Sequence, residues 1–298
     1  MLAHGGAIGP PSAASMFQLQ LDSWLALGLL LVATLYLYGV YLLRSRGDHW
    51  PILRAVLFLG PGLGSMAAVT LTGIHAYDTV LSSVHMIQHM VLSMIAPIFL
   101  ALGAPVTLLL RTLPTGGRRR VTRLLHSRVV RFCTHPLVAF GLFIATPFAL
   151  YFTGLYGLAM RNGLVHELLH VHFVAVGCLF FWPLVGLDPL PGRWPYPGRA
   201  LLMFLSTPFH TVLGLTVMQS TELLGGDWYP SLGLSWLDPY ADQKAAGGIL
   251  WVGGEVVSVT MLGVLLVQWM RASEREARRI DRQLDREEAE QRAAATAT

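Results

Sequence analysis

Seven apolar runs, each close to the length of a membrane-spanning helix, constrain this chain of 298 residues more than any other feature. A helix needs about 20 predominantly apolar residues to cross about 30 Å of hydrocarbon. We therefore predict an all-α integral membrane protein, a seven-transmembrane helix bundle embedded in the lipid bilayer. The predicted spans lie near residues 22–43, 53–74, 82–103, 135–156, 167–187, 199–221 and 247–270.

Composition excludes most classes of soluble protein. The chain is 54% hydrophobic and 13% charged, whereas soluble domains carry about 25% charged residues. A soluble nucleic-acid-binding protein, a disordered tail protein and a disulfide-stapled secreted domain are therefore excluded. The two cysteines, Cys133 and Cys178, fall at different predicted membrane depths, so we expect no disulfide.

The third apolar run continues almost uncharged to Leu110, which is too long for one simple span. Pro97 and Pro105 stand where the excess begins, and proline interrupts helical hydrogen bonding. We expect a kink or an interfacial turn there.

Loop charges predict the orientation in the membrane. The first, third and fifth predicted loops and the start of the tail are rich in arginine, whereas the other three loops carry only Arg161 and Lys244. Cytoplasmic loops are enriched in Lys and Arg, so the N-terminus is expected outside and the C-terminus in the cytoplasm. The chain then divides into a short extracytoplasmic lead, a seven-helix transmembrane domain and a charged cytoplasmic tail, at residues 1–21, 22–270 and 271–298. Acidic and basic residues alternate in this tail, which predicts an exposed helix.

Histidines concentrate at one predicted depth, the outer ends of the second, third and fifth spans. His85 and His89, like His166 and His170, are four residues apart, which places each pair on one helical face. Ionisable residues inside hydrocarbon are expensive and point to function. Imidazole suits copper, zinc and iron, while nearby methionine thioethers would favour Cu(I). We predict a metal site whose core is His85, His89, His166 and His170.

Further candidate ligands surround this core: His75, His210, Met90 and Glu255. His210 and Glu255 lie inside the sixth and seventh predicted spans, where each needs a partner. Packing of histidines between helices without any metal stays open as an alternative. The remaining imidazoles that sit with the basic inner loops are expected to face lipid headgroups, namely His49, His126 and His135.

The outer loop from Glu222 to Ala246 carries two tryptophans and two tyrosines. Aromatic residues of this kind gather at membrane interfaces. We expect this loop to cover the outer site or to meet a partner.

Several motifs resemble the CtaG family of cytochrome c oxidase assembly factors, in the form found in Gram-positive bacteria. The most specific is HMIQHMVLSMIAPIFLALGAPVTLLLRTLP, which is followed by an Arg-rich loop. Further matches are THPLV at 134–138, LVHELLHVHFVAVGCLFFWPLVG at 164–186 and DQKAAGGILW at 242–251. Together they cover most of residues 70–255.

The resemblance implies a multi-pass protein of the bacterial plasma membrane that helps to mature a haem–copper oxidase by handling copper on the outer side. It implies transient contact with the oxidase subunits and no enzymatic activity. The family pattern maps onto His85, Met86, His89, Met90, His166, His170, Asp242 and Gln243. Many members carry a Trp-His pair late in the fourth span, where this chain reads Tyr151 and Phe152. Either that position is not a ligand, or another residue replaces it, namely His172, His210 or Glu255.

Two other functions are compatible with the pattern. One is a zinc-dependent membrane hydrolase acting on a lipid amide, with three histidines on zinc and Asp242 or Glu255 as base. The other is a haem b protein with two histidines on each iron. The working hypothesis is a copper-binding assembly factor, with copper as Cu(I), that delivers the metal to the oxidase.

Overall fold

The computed structural model describes residues 9–20, 24–191 and 194–296. Parts of three predicted features lie outside the described residues. They are residues 1–8 and 21 of the N-terminal lead, the first two residues of the first predicted span, and Arg193 of the fifth loop. The described residues form helices joined by turns, and their only β-type pairing is an isolated bridge between Leu19 and Thr72.

Six of the described helices are long and apolar enough to cross a membrane, and a bent helix pair brings the number of spans to as many as seven. The all-helical, multi-pass prediction is therefore confirmed, whereas the number of seven spans and the orientation in the membrane stay predictions. The long helices and the bent pair (α4 and α5) are α1 (Trp24–Ser45), α2 (Ile52–Thr70), α3 (Ser82–Thr112), α4 (Pro136–Phe152), α5 (Leu155–Arg161), α6 (Gly163–Val185), α7 (Tyr196–Gln219) and α8 (Pro239–Thr296).

Shorter helices occupy the connections. They are Ala13–Met16, Gly73–Tyr77, Thr115–Leu125, Arg128–Cys133 and Trp228–Ser231. At the other end of the chain α8 continues without a break from its apolar part through the charged tail, where Arg292 pairs with Glu288 at 3.2 Å. The helix predicted for the tail is present, and the domain boundary at residue 271 stays a prediction.

The third span has two irregularities. Residues Val91–Ile95 form a π-helical segment directly after Met90. The helix then stops at Gly103 and Ala104, where Ala104 has the left-handed φ of 47°, and restarts at Pro105. The buried carboxylate of Asp188 caps the restarted helix by accepting hydrogen bonds from the backbone N–H groups of Val106 and Thr107. The predicted turn near Pro105 is therefore present.

The fourth predicted span is a broken one. Helices α4 and α5 meet at an angle of 71° across Thr153 and Gly154. After the bend α5 ends at Arg161, and α6 begins two residues later at Gly163.

Close helix approaches fix the relative positions of the long helices. A Cβ atom at Gly177 of α6 would overlap the carbonyl oxygen of Ser93 on α3, so only glycine allows this contact. Between α7 and α8, Cβ atoms at Gly214 and Gly247 would lie 2.8 and 2.6 Å from the other residue's carbonyl oxygen. These contacts hold α6 against α3 and α7 against α8. Helices α2 and α7 end, and helices α3, α6 and α8 begin, at the same end of the bundle. We call it the outer end, because the loop charges predict that it faces outward.

Candidate metal centre

The connection between α2 and α3 supplies the first two polar groups of the site. Thr72 caps the short helix Gly73–Tyr77 by accepting from the N–H of Ile74, and Asp78 follows that helix directly. Asp78 is 1% exposed, and its Oδ2 accepts a hydrogen bond from Nδ1 of His75 at 3.0 Å.

The first two turns of α6 supply two more groups. The side chain of Asn162 caps α6 by accepting from the N–H groups of Leu164 and Val165, which fixes where the helix begins. His166 and His170 then project from one face, one turn apart. Nε2 of His166 donates to Oδ2 of Asp78 at 2.9 Å, and Nε2 of His170 lies 3.8 Å from the same oxygen.

Four residues thus converge at one point, and we call them the outer group: His75, Asp78, His166 and His170. One ligand atom from each of them lies within 4.8 Å of all the others. Three imidazoles and one carboxylate in this arrangement match the ligand types of a transition-metal site.

Glu167 borders the outer group. Its Oε1 lies 3.2 Å from Nε2 of His75, and its Oε2 lies 3.6 Å from Nδ1 of His170. Carboxylates that contact metal-ligating histidines orient the ring and raise its basicity. Glu167 is placed for that role.

Hydrogen bonding controls the charge of the residues in the connection. Burial alone would lower the pKa of His75, but its hydrogen bonds to Asp78 and Glu167 raise this pKa to about 10. Burial alone would raise the pKa of Asp78, but hydrogen bonds from His166 and His75 hold it well below its ordinary value. Without metal, therefore, Asp78 is a carboxylate and His75 an imidazolium.

Several buried imidazole nitrogens have no hydrogen-bond partner among the described residues. They are Nδ1 of His166 and both ring nitrogens of His85 and His170. Buried polar atoms are normally paired, and an unpaired one costs about 1–3 kcal/mol. His166 and His170 belong to the outer group, so a metal ion there would give their unpaired nitrogens a partner, and the residues present fit a metal.

His85 lies beside the outer group rather than in it. Its ring centroid is 5.7 Å from that of His166 and 5.2 Å from that of Tyr156. It is 2% exposed. His85 is thus the nearest of the sequence-predicted ligands outside the four.

His89 and His210 lie apart from the outer group. Nδ1 of His89 is 3.0 Å from the hydroxyl of Tyr151, and its ring stacks on Phe173 at 4.2 Å. Nδ1 of His210 donates to the carbonyl of Ser206 at 3.3 Å. Both residues line one small cavity between α3, α4, α6 and α7. The structure therefore divides the predicted histidine core between two places.

The remaining predicted ligands are not brought to the outer group. Met90 is buried against Gly253 of α8, and the carboxylate of Glu255 accepts a hydrogen bond from Thr211. His172, one suggested replacement for the family's fourth-span histidine, is exposed and bonds Thr146 at 3.0 Å. His49, His126 and His135 are exposed, as expected for headgroup-facing residues.

The two fourth-span residues that depart from the family pattern point in different directions. Tyr151 points inward, is 5% exposed and contacts His89, whereas the neighbouring Phe152 is 55% exposed. An imidazole in place of Phe152 would therefore lie outside the outer group.

The outer loop covers the connection that carries Asp78. Nε1 of Trp228 donates to the carbonyl of Thr79 at 2.8 Å, and the side chains of Leu232 and Leu234 pack on the cluster formed by Tyr77, Val80, Leu81 and Val84. Two residues of the family motif anchor this arrangement: Asp242 accepts from Ser83, and Gln243 accepts from the N–H of Leu224 at 2.7 Å. The expected aromatic cover is present.

Sequence reasoning missed Asp78 and Glu167 as site residues. Asp78 lies in the second predicted loop, and Glu167 lies between the two histidines of the HELLH motif. The usable signal was the three-residue spacing from His75 to Asp78, which brings both side chains to one side of a helical turn.

The sequence of the chain matches one known protein family. The family whose sequence model matches is described as cytochrome c oxidase caa3 assembly factor (Caa3_CtaG), and the match covers residues 34–272. That range includes the outer group, Glu167, His85, His89 and His210.

The chain is also similar to longer mycobacterial proteins. Proteins of Mycobacterium bovis and Mycobacterium tuberculosis, both named as uncharacterized, are 40% identical to it over 285 residues, which is 93% of this chain and 43% of each relative. A Mycobacterium leprae protein is 35% identical over the same share. The chain spans less than half the length of these relatives. No solved structure matches it.

Proposed function

This chain belongs to the family of cytochrome c oxidase caa3 assembly factors, and on that premise we propose that it binds copper at the outer group and passes it to a haem–copper oxidase in the same membrane. The family is one of assembly factors, so the protein is not an enzyme. That agrees with the sequence-based prediction and leaves the zinc hydrolase without support.

One observation carries the proposal: three imidazoles and a carboxylate whose ligand atoms lie within 4.8 Å of one another. A cluster of this size suits a single small ion. Imidazole is a good copper ligand, and the negative charge of Asp78 partly offsets that of a cation held away from water. The copper is cargo in this function, and the residues serve to hold and release it.

The position of the outer group supports transfer within the membrane. The group lies in the first turns of α6 and just before α3, at the outer end of the bundle. An oxidase copper site built from histidines below the outer surface would lie at a similar depth, so ligand exchange would need only a short lateral contact. An apolar cleft of about 260 Å³ between α1, α2, α3 and α6 includes His170 in its lining, which gives that residue a lateral approach.

The test combines purified protein and cells. A D78N/H166Q double variant is compared with wild type and with H126Q, which changes an exposed histidine bonded only within its own helix. We expect copper in wild type and H126Q, none at the outer group in the double variant, and an oxidase that is present, contains haem and lacks copper. Fully active, copper-loaded oxidase in cells whose membranes contain the double variant would overturn the proposal.

The visible spectrum and metal content of the same samples separate the other functions. A Soret band that disappears in the double variant would indicate haem instead. Zinc at one per chain, with no copper after anaerobic purification, would remove copper from the proposal.

A further inference from the structure

Below the outer group, two histidines from different helices face one small cavity. His89 of α3 and His210 of α7 both line it, each is 4% exposed, and its volume is about 10 Å³. A single water-sized sphere needs about that volume. The cavity is therefore large enough for one small ion and too small for an organic ligand.

Hydrogen bonds leave the same nitrogen of each ring available. Nδ1 of His89 is 3.0 Å from the hydroxyl of Tyr151, and Nδ1 of His210 is 3.3 Å from the carbonyl of Ser206. No hydrogen bond to either Nε2 is present among the described residues. When Nδ1 is used in this way, Nε2 becomes the metal ligand.

The other polar groups of the cavity are already engaged. The hydroxyl of Ser93 donates to the carbonyl of His89 at 2.7 Å, and the hydroxyl of Thr146 lies 3.0 Å from Nε2 of His172. The rest of the lining is apolar and aromatic, and it contains no carboxylate. One acid, Glu255, lies outside the lining, interacts electrostatically with His210 and accepts a hydrogen bond from Thr211. The two imidazoles are thus the free ligands of a pocket whose lining is uncharged.

The absence of a carboxylate from the cavity lining favours one kind of ion. Burying an uncompensated charge in a low-dielectric site is expensive, and in the Born description the expense rises with the square of the charge. A divalent ion is therefore much less favourable here than a monovalent one. Imidazole binds copper, and Cu(I) is the monovalent copper ion.

We infer that His89 and His210 bind one Cu(I) independently of the outer group. We call these two histidines the inner pair, and we call the outer group and the inner pair the two metal stations. This inference rests on the proposed function and deepens it. The outer group contains Asp78 and lies against Glu167, so it accepts a divalent ion. The inner pair has no acid in its cavity lining and favours a monovalent ion.

His85 connects the two stations. It is one helical turn from His89 on α3, about 6 Å along the axis, and its ring lies 5.7 Å from that of His166. Both of its ring nitrogens are buried without a partner among the described residues. An ion leaving the outer group meets a free imidazole before it reaches the inner pair.

The test is an anaerobic titration of the detergent-purified full chain with Cu(I), held at known free concentration by a chromogenic Cu(I) chelator, and separately with Zn(II). We expect two Cu(I) and one Zn(II) per chain. H89Q/H210Q should lose one Cu(I) and keep the Zn(II). H166Q/H170Q should keep one Cu(I) and lose the Zn(II).

Two further variants guard against misfolding. H210M keeps a soft ligand in the cavity and should retain the second Cu(I), which a variant that merely unfolds would not do. H126Q removes an exposed imidazole that belongs to neither station and should change neither stoichiometry. X-ray absorption of Cu(I) in H166Q/H170Q should show nitrogen ligands and no oxygen.

The possible results separate this inference from the proposed function. A single Cu(I) in wild type that survives H89Q/H210Q overturns the inner station and leaves the proposed function standing. Loss of Zn(II) in H89Q/H210Q also overturns it. The opposite result has two parts: the oxidase acquires copper in cells whose protein lacks the outer group, and the inner pair still binds Cu(I). This result overturns the proposed function and leaves the inner station standing.

Discussion

Nε2 of His166 donates a hydrogen bond to Oδ2 of Asp78 at 2.9 Å, and both side chains are almost completely buried. The two residues are 88 positions apart in the chain. This contact joins the connection after α2 to the first turn of α6, and it creates the point at which the other two members of the outer group converge. The proposed metal site therefore depends on a carboxylate that lies in a loop.

Asp78→Asn should weaken metal binding at the outer group. The change removes the only carboxylate among the four residues. We expect the metal affinity to fall by at least about tenfold, because the loss of a group that supports metal ligands lowers affinity by that factor or more. Equilibrium titration with Zn(II) measures it. Asp238→Asn is the matched control, because Asp238 is an exposed acid that caps the start of α8, a role that asparagine also fills, and it should leave the affinity unchanged.

Metal affinity at the outer group should rise with pH. The pKa of His75 is raised to about 10 by its carboxylate partners, so below that pH a metal bound through this ring must displace a proton. For one displaced proton the affinity gains up to about tenfold per pH unit and levels off above the pKa. Titrations at several pH values give the slope. His75→Gln should reduce it, and an unchanged slope would show that His75 is not a ligand.

Tyr151→Phe should destabilise the bundle around His89. The hydroxyl contacts Nδ1 of His89 at 3.0 Å and Sδ of Met86 at 3.6 Å, so its loss leaves a buried imidazole nitrogen unpaired. We expect a loss of about 1–3 kcal/mol in unfolding free energy. Thermal unfolding in detergent detects this as a lower Tm. Tyr38→Phe, on an exposed tyrosine of α1, should have no such effect.

Gly177→Ala should separate α6 from α3. The added Cβ would overlap the carbonyl oxygen of Ser93, and overpacking of this kind costs about 1–3 kcal/mol. Because α6 carries His166 and His170, metal binding at the outer group should weaken along with the Tm. Gly141→Ala places a Cβ in open space on α4 and is the control. Equal stability of the two variants would contradict the proposed role of the glycine contact.

His85→Ala should slow exchange between the two stations without changing how many ions bind. His85 is outside the outer group and outside the inner cavity, yet its unpaired ring lies next to His166. Stopped-flow transfer of Cu(I) from the chelator to the inner pair measures the rate. The same rate in wild type and His85→Ala would show that ions reach the inner pair by another path.

Much of this molecule follows from its sequence. The apolar runs dictate membrane helices because a backbone in hydrocarbon must satisfy its own hydrogen bonds. The stop at Gly103 and Ala104 follows from the proline at 105, and the four-residue spacing of the histidines places each pair on one face of its helix. Even the outer end of the bundle, where the histidines gather, can be predicted from the order of spans and loops.

The division of those histidines into two stations was decided only by the tertiary structure. His85 and His89 share a helical face, but His85 lies next to His166 whereas His89 stacks on Phe173, one turn further along α6 than His170. Asp78 joins the site because the connection after α2 folds over the start of α6. Spacing along a helix is a local property that 3.6 residues per turn determine. Distances between helices depend instead on close contacts such as Gly177 against Ser93, which involve residues far apart in the chain.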